Sequence, residues 1–404
     1  MVQKEALAVA VVATNTARSM RTGGCQFALL ASLVLWGVLW MIPLYAAVLP
    51  EDRIDLLYHN YDGDNLSVDG PSVLVRKSIK DKVSVWANYY VDSVSSASVD
   101  VVSTASSYTE RRVETSVGAD YLHNKTTIGV GYTNSSEDDY ESNAVRFGIS
   151  QDFFGDLTTV GIAYARGEDT IRRNGDDVFE AQATHQSFRV DISQILTPSL
   201  IVSLNYEAVL DEGFLNNPYR QVRFLDPTAA RGFSFESERY PRTRTSNATA
   251  LRSIYYLPYR AALKTEARYY TDTYGISAYN AEVGYTHPIG ERTILDFRYR
   301  FYSQTAADFY SDLFERSNQQ NFLARDKELS TFTTNTVGVG ASWQFNTGSV
   351  PFVDKGQLSL SGDYIRFNYA DFRDLTTGGD FAPGEEPQFA FDAIVIRALV
   401  SFWF

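Results

Sequence analysis

The sequence predicts an all-β fold, a transmembrane antiparallel β-barrel of about 16 strands with short periplasmic turns and long extracellular loops. Three observations carry this expectation. From about residue 50 onward the chain alternates apolar and polar residues with period two, the pattern of a strand wet on one face and apolar on the other. The connections between these segments alternate short and long, as in bacterial barrels. The chain closes on a strand ending in an aromatic residue, Phe404.

The first element is an uncharged stretch, Phe27–Tyr45, preceded by Arg18 and Arg21 and followed by Ala46-Ala47. A basic start, an apolar core and small residues at the end describe a secretory signal over residues 1–47, with Met20 at a suitable distance to be the true start. The rival reading is a permanent anchor, because 18 or more apolar residues can span a bilayer. Removal after Ala47 takes Lys4, Arg18, Arg21, Glu5 and Cys25, the single cysteine. The domain that remains, 48–404, needs no disulfides.

Strands are expected at 53–61, 71–78, 82–91, 110–121, 125–134, 142–151, 157–166, 185–196, 199–209, 244–256, 260–271, 276–287, 291–303, 331–345, 356–368 and 390–404. The segment Thr293–Tyr302 shows the pattern well: Leu295, Phe297, Tyr299 and Phe301 share one face, and Asp296, Arg298 and Arg300 the other. Short connections fall at 123–124, 154–156, 197–198, 258–259 and 288–290. Long ones fall at 92–109, 167–184, 210–243, 304–330 and 369–389; 135–141 is intermediate, and the short-side turn at 346–355 is unusually long. In the last strand Ile396, Ala398, Val400, Phe402 and Phe404 occupy alternate positions, resembling the sorting end that the barrel assembly machinery recognises. A barrel satisfies every backbone group without water. It also accounts for a membrane protein that is only 44% hydrophobic, because only alternate strand residues meet lipid. Its two interfacial girdles give a place to the many Tyr, Phe and Trp of the chain after residue 47.

Composition excludes several functions. A net charge of −13 is unsuited to nucleic-acid binding, and one cysteine builds neither a thiolate metal site nor a disulfide framework. No cofactor is expected. The acidic runs 135–142, 62–65 and 167–177 do not match a twelve-residue calcium loop, and no metal ligands are assigned. No G-x-S-x-G or H-E-x-x-H occurs. The four histidines, His59, His123, His185 and His287, fall mostly at expected turns, so no catalytic residues are assigned and the protein is not expected to be an enzyme.

Longer stretches resemble a known family. YYVDSVSSASVDVVSTASSYTERR (89–112), QDFFGDLTTVGIAYARG (151–167), SLNYEAVLDEGFLNNPYRQVRFLDP (203–227), ERYPRTRTSNA (238–248), YTHPIGERTILDFRYRFYSQTAADFYSDLF (285–314) and ARDKELSTF (324–332) are similar to the bacterial family of domain of unknown function 3570. The resemblance runs from about Pro50 to Phe404. It implies an outer-membrane barrel of Gram-negative bacteria without an established substrate, and periplasmic redox proteins as partners.

The candidate functional residues are charges on the face opposite the apolar one. These are Arg146, Arg189, Asp191, Glu207, Lys264, Glu266, Arg268, Glu282, Asp296, Arg298, Arg300 and Asp363, all expected to line the lumen. Sixteen strands leave room for an aqueous channel, and charges of both signs could orient polar solutes or simply brace the wall. The strand glycines Gly129, Gly131, Gly338 and Gly340 are expected to relieve lumen crowding. Within 304–330, Ala306, Phe309, Leu313 and Phe314 approximate a helical face that would constrict the bore or form a surface lid. Loop 210–243 is expected to be a compact cap. The function these features favour is a porin-like channel for small polar solutes. The alternatives are a non-conducting scaffold or receptor partnering a periplasmic system, and a membrane-embedded hydrolase. Outer-membrane lipid is the expected surrounding, and the oligomeric state stays open.

Overall fold

A computed structural model describes residues 48–404 except 96–108, 348–351 and 378–379. The expected signal segment, 1–47, lies outside the described residues, as does most of the expected 92–109 connection. The strands are β1 (Arg53–Gly63), β2 (Leu66–Ile79), β3 (Val83–Ser95), β4 (Thr109–His123), β5 (Thr126–Ser136), β6 (Tyr140–Phe153), β7 (Thr158–Arg173), β8 (Asp176–Thr197), β9 (Leu200–Gly213), β10 (Gln221–Leu225), β11 (Phe233–Ser237), β12 (Thr243–Tyr256), β13 (Ala262–Asp272), β14 (Ser277–Ile289), β15 (Thr293–Gln304), β16 (Phe332–Asn346), β17 (Lys355–Arg373) and β18 (Gln388–Trp403). All but β10 and β11 form one closed antiparallel barrel, in which each strand pairs with its neighbours and β1 pairs with β18. Every expected strand has its counterpart.

Closure follows from the sequence pattern. Through the middle of the wall the residues facing outward are mostly apolar, among them Leu56, Val130, Ile162, Leu251, Val283, Val339 and Leu360, all well exposed. An apolar surface continuous around the molecule belongs in a bilayer, where an open sheet edge would leave unpaired N–H and C=O groups. Pairing β1 to β18 from Arg53↔Trp403 to Gly63↔Ala393 removes both edges. Ile396, Ala398, Val400 and Phe402 share the outward side of β18, and Phe404 lies just past its end with the Lys77 ammonium 4.7 Å from its ring centre.

At the end of the barrel that carries both chain ends, the connections are short: 80–82, 124–125, 154–157, 198–199, 257–261, 290–292 and 347–354. The opposite end holds every long connection, including 214–242, 305–331 and 374–387, but also four tight turns, 64–65, 137–139, 174–175 and 273–276. The expected long connection at 167–184 is therefore corrected. There β7 and β8 extend as a hairpin that turns at Asn174-Gly175, with Gly175 at φ +81°. Its polar composition reads as a loop because a hairpin standing beyond the apolar band is wet on both faces. The turn between β1 and β2 is Asp64-Asn65, both left-handed (φ 55° and 58°), the conformation that a two-residue hairpin turn requires. The helical face expected around Ala306, Phe309, Leu313 and Phe314 is also corrected. That segment carries only one 3-10 turn, Lys327–Leu329, and Phe309 and Phe314 are buried by packing against other loops.

Candidate functional site: a charged lumen under an ordered cap

The inward face follows from parity. Val145 and Phe147 are exposed outward, so Arg146 between them faces in; the same holds for Arg189 between Phe188 and Val190, Asp191 between Val190 and Ile192, and Arg298 between Phe297 and Tyr299. Most of the inward charges are knitted into pairs, along a strand or across strands. Arg189 Nε donates to Asp191 at 2.9 Å, and Asp191 also accepts from Asn205. Arg252 donates to Asn205 at 3.0 Å and to Glu266 at 2.6 Å, and Asn280 donates to Glu266 at 3.2 Å. Arg268 lies 3.7 Å from Glu207, and Lys264 lies 3.5 Å from Asp296, which also accepts from Thr286 at 2.5 Å. Glu282 stands opposite Arg300 in the β14–β15 register. Asp363 is held by both Arg298 and Arg397, the latter at 3.0 Å. Gly338 sits in register between Arg298 and Asp363. A Cβ there would stand 2.3 Å from Asp363 Oδ1 and 2.6 Å from Arg298 Nε, so only glycine lets the pair lie flat on the wall.

Arg252 and Arg397 belong to this network and are absent from the sequence-based candidates. The signal was available: Arg397 lies between Ile396 and Ala398 in a strand whose alternation is plain. A second cluster, on β1 to β5, was also missed. His59 Nε2 lies 2.7 Å from Asp92 and 3.1 Å from the Tyr90 hydroxyl. Arg112 donates to Glu114 at 2.7 Å and to Ser135 at 3.1 Å. The expectation that the histidines sit mostly at turns is corrected, because His59, His123, His185 and His287 all fall within strands. His185 is held between Asp169 at 2.6 Å and Asp211 at 2.7 Å. His59 meets a carboxylate and a phenol, His185 two carboxylates, and neither holds a serine hydroxyl.

The long loops roof one mouth of the barrel. The segment 214–242 contains the β10–β11 hairpin, and bridges at Phe224↔Phe314 and Arg239↔Leu323 join it to 305–331. The assembly touches the rim at several separate points. The Tyr219 hydroxyl donates to Asp139 beyond β5, and Lys327 Nζ donates to Asp64 beyond β1 at 2.7 Å. Tyr310 donates to the Asp371 carbonyl on β17 at 3.1 Å, and Phe309 packs edge-on to Tyr274 beyond β13, 4.9 Å between centroids. One guanidinium ties three segments together. Arg223, fully buried, reaches Asp312 of 305–331, and Glu386 of 374–387 at 2.5 and 3.0 Å. Arg325 also donates to Asp312, at 3.0 Å, and stacks on Phe372, 4.6 Å from its ring centre. Glu238 accepts from the Arg325 amide and the Tyr240 hydroxyl, both at 2.7 Å. Burial, with Asp326 nearby, pushes the Glu238 carboxyl up to about 7. Glu386 is shifted the other way: burial alone would raise it, but the hydrogen bonds from Arg223 hold it below the ordinary carboxylate range.

A closed wall, apolar outside and charged within, defines a membrane β-barrel. The chain belongs to the family described as protein of unknown function (DUF3570), whose sequence model matches residues 101–351. No curated protein matches it. Among solved structures it is similar to a bacterial polysaccharide outer membrane secretin, at 9% identity and TM-score 0.48, over 88% of this chain and 99% of that one. A FadL homologue of Pseudomonas aeruginosa shares 10% identity at TM-score 0.43, over 91% and 94%. The siderophore receptor PirA of Pseudomonas aeruginosa shares 9% at TM-score 0.42, over 88% of this chain but 63% of the receptor.

Proposed function

We propose that the protein is a porin-like conduit for small polar solutes in the outer membrane of a Gram-negative bacterium, with its short turns in the periplasm and its cap facing outward. The observation that supports this reading is the belt of inward charges of both signs on a wall of sixteen strands. Such a belt lays a fixed field of both signs across the bore, which orients a polar solute. Covalent chemistry is not part of the reading. The test is conductance of the purified full chain in a planar bilayer, for the wild type and for a variant shortened by residues 222–236. Current that grows when the cap is shortened supports the conduit; no current from either refutes it.

The stitching of the cap through Arg223 favours a second reading, a non-conducting scaffold or receptor whose ordered outer face is the working surface and which partners a periplasmic system. A barrel that stays sealed with the cap shortened is the outcome that reading requires.

A further inference from the structure

One lumen arginine differs from the rest. Arg146 (β6), Gly131 (β5), Gly118 (β4), Trp86 (β3), Arg76 (β2) and Arg53 (β1) fall in one continuous cross-strand row. The two glycines leave a bare strip between Arg146 and Trp86, and the Arg146 guanidinium crosses it to lie over the indole, 5.0 Å from its ring centre. Both glycines are required. A Cβ at Gly118 would stand 2.3 Å from the indole, and one at Gly131 2.9 Å from Arg146 Nε. The slot is therefore shaped to hold an arginine over a tryptophan, a cation–π contact that spends none of the five N–H donors of the guanidinium.

Those donors are unspent. Among the described residues no carboxylate comes within 4.0 Å of the Arg146 guanidinium, and Asp120, the acid nearest in effect, is taken by Arg76 at 3.0 Å. The Trp86 Nε1–H, on a side chain more than nine-tenths buried, also has no acceptor. The row carries Arg53, Arg76 and Arg146, of which Arg53 and Arg76 pair with Asp55 and Asp120 on adjacent positions, leaving an excess of one positive charge. Elsewhere on the wall Arg189, Arg252, Arg268 and Arg298 each face an acid.

From this geometry we infer that Arg146 on Trp86 is a binding station for a small oxyanion, a carboxylate or a phosphate, inside the barrel. A planar guanidinium offers its N–H donors as a fork that pairs two oxygens, and the excess positive charge around the row attracts an anion before contact. The station deepens the conduit reading by naming the class of solute, and it rests on that reading only for transport; binding stands apart.

The experiment is a fluorescence titration of the detergent-purified full chain with sodium acetate, sodium succinate and sodium phosphate at constant ionic strength, paired with the reversal potential in a KCl gradient. Wild-type protein is expected to show a saturable change in emission with at least one of the three; the strongest titrant identifies carboxylate or phosphate as the preferred source. Trp86→Phe should abolish the change. Arg146→Gln should weaken binding about tenfold to a hundredfold, the loss of a charge-assisted pair, and shift the reversal potential toward cations. If Arg146→Gln fails to fold, the wild-type titration still decides, because a response that is absent or does not saturate for all three anions overturns the station. A saturable response that persists in Trp86→Phe overturns it as well, by placing the anion elsewhere. Saturable binding without any current keeps the station and refutes the conduit; current without binding does the reverse.

Discussion

Replacing Arg223 with methionine should open the cap at one seam. The guanidinium is fully buried and joins Asp312 and Glu386, each about 10% exposed at the side chain. Methionine keeps the length and the apolar stem and deletes the charge. The two carboxylates do not suffer equally. Asp312 keeps Arg325 at 3.0 Å, whereas Glu386 loses the cation that holds it and keeps the Gly384 amide at 2.9 Å. Removing one partner of a buried pair costs about 3–5 kcal/mol. The lower end applies here because Asp312 is still held and Glu386 can turn to water, so about 3 kcal/mol of local stability is lost, roughly a hundredfold in the population of the detached state. The loss falls on 374–387, while 305–331 stays pinned by Arg325. Limited proteolysis of the barrel in detergent micelles, read by mass spectrometry, should show cutting in 374–387 accelerated toward that factor and cutting in 305–331 nearly unchanged. Equal acceleration in both loops, or none, would refute the assignment of Arg223 as the tie between them.

The two buried cap carboxylates respond to pH in opposite senses. Glu386 is depressed below its ordinary 4.5, so its contribution is present above that pH and lost as the pH falls through its lower folded value; Glu238, raised from 4.5 to about 7, stabilises the cap fully below 4.5 and loses that contribution as the pH rises through about 7. Cap proteolysis should therefore be slowest near pH 4.5, and Glu238→Gln should flatten the limb between pH 4.5 and 7. Gly338→Ala forces a Cβ against Asp363 and Arg298 and should cost about 1–3 kcal/mol, read as a lower urea midpoint of folding in lipid vesicles. Val339→Arg places a charge on a residue 54% exposed on the outer wall and should cost about 2–4 kcal/mol in the same assay, while its effect on conductance stays small. Arg298→Ala leaves Asp363 with Arg397 alone and should shift ion selectivity toward cations in a planar bilayer.

The barrel was legible because its rule is local. In Thr293–Gln304 every second residue declares its side, and the same parity places Arg146, Glu207 and Asp363 inward without knowledge of any neighbour. Parity also contained Arg252 and Arg397, which were within reach of the same reasoning. The partners were not legible, because a cross-strand contact depends on stagger as well as side: Asn205 meets Arg252 across 47 positions. The cap was least legible. Nothing in FLNNPYRQVRFLDP points to Glu386, 163 residues away, and the β10–β11 hairpin has no period long enough to stand out. The hairpin over 167–184 was hidden for a further reason: beyond the apolar band a strand has no dry face, and its alternation disappears. The row from Arg53 to Arg146 shows the same limit within the wall. Gly131 reads as relief of crowding, but the indole and guanidinium that it and Gly118 make room for appear only when four strands, β3 to β6, stand in order.

The pairing of β1 with β18 has a consequence for how the molecule comes into being. Its last ladder joins Gly63 to Ala393 and Arg53 to Trp403, so the earliest strand must wait for the latest one. Until then the growing sheet carries two raw borders that invite stray partners, and contacts so distant along the chain are slow to find one another. The wall is therefore sealed only once this ladder between the two most distant strands of the barrel has formed.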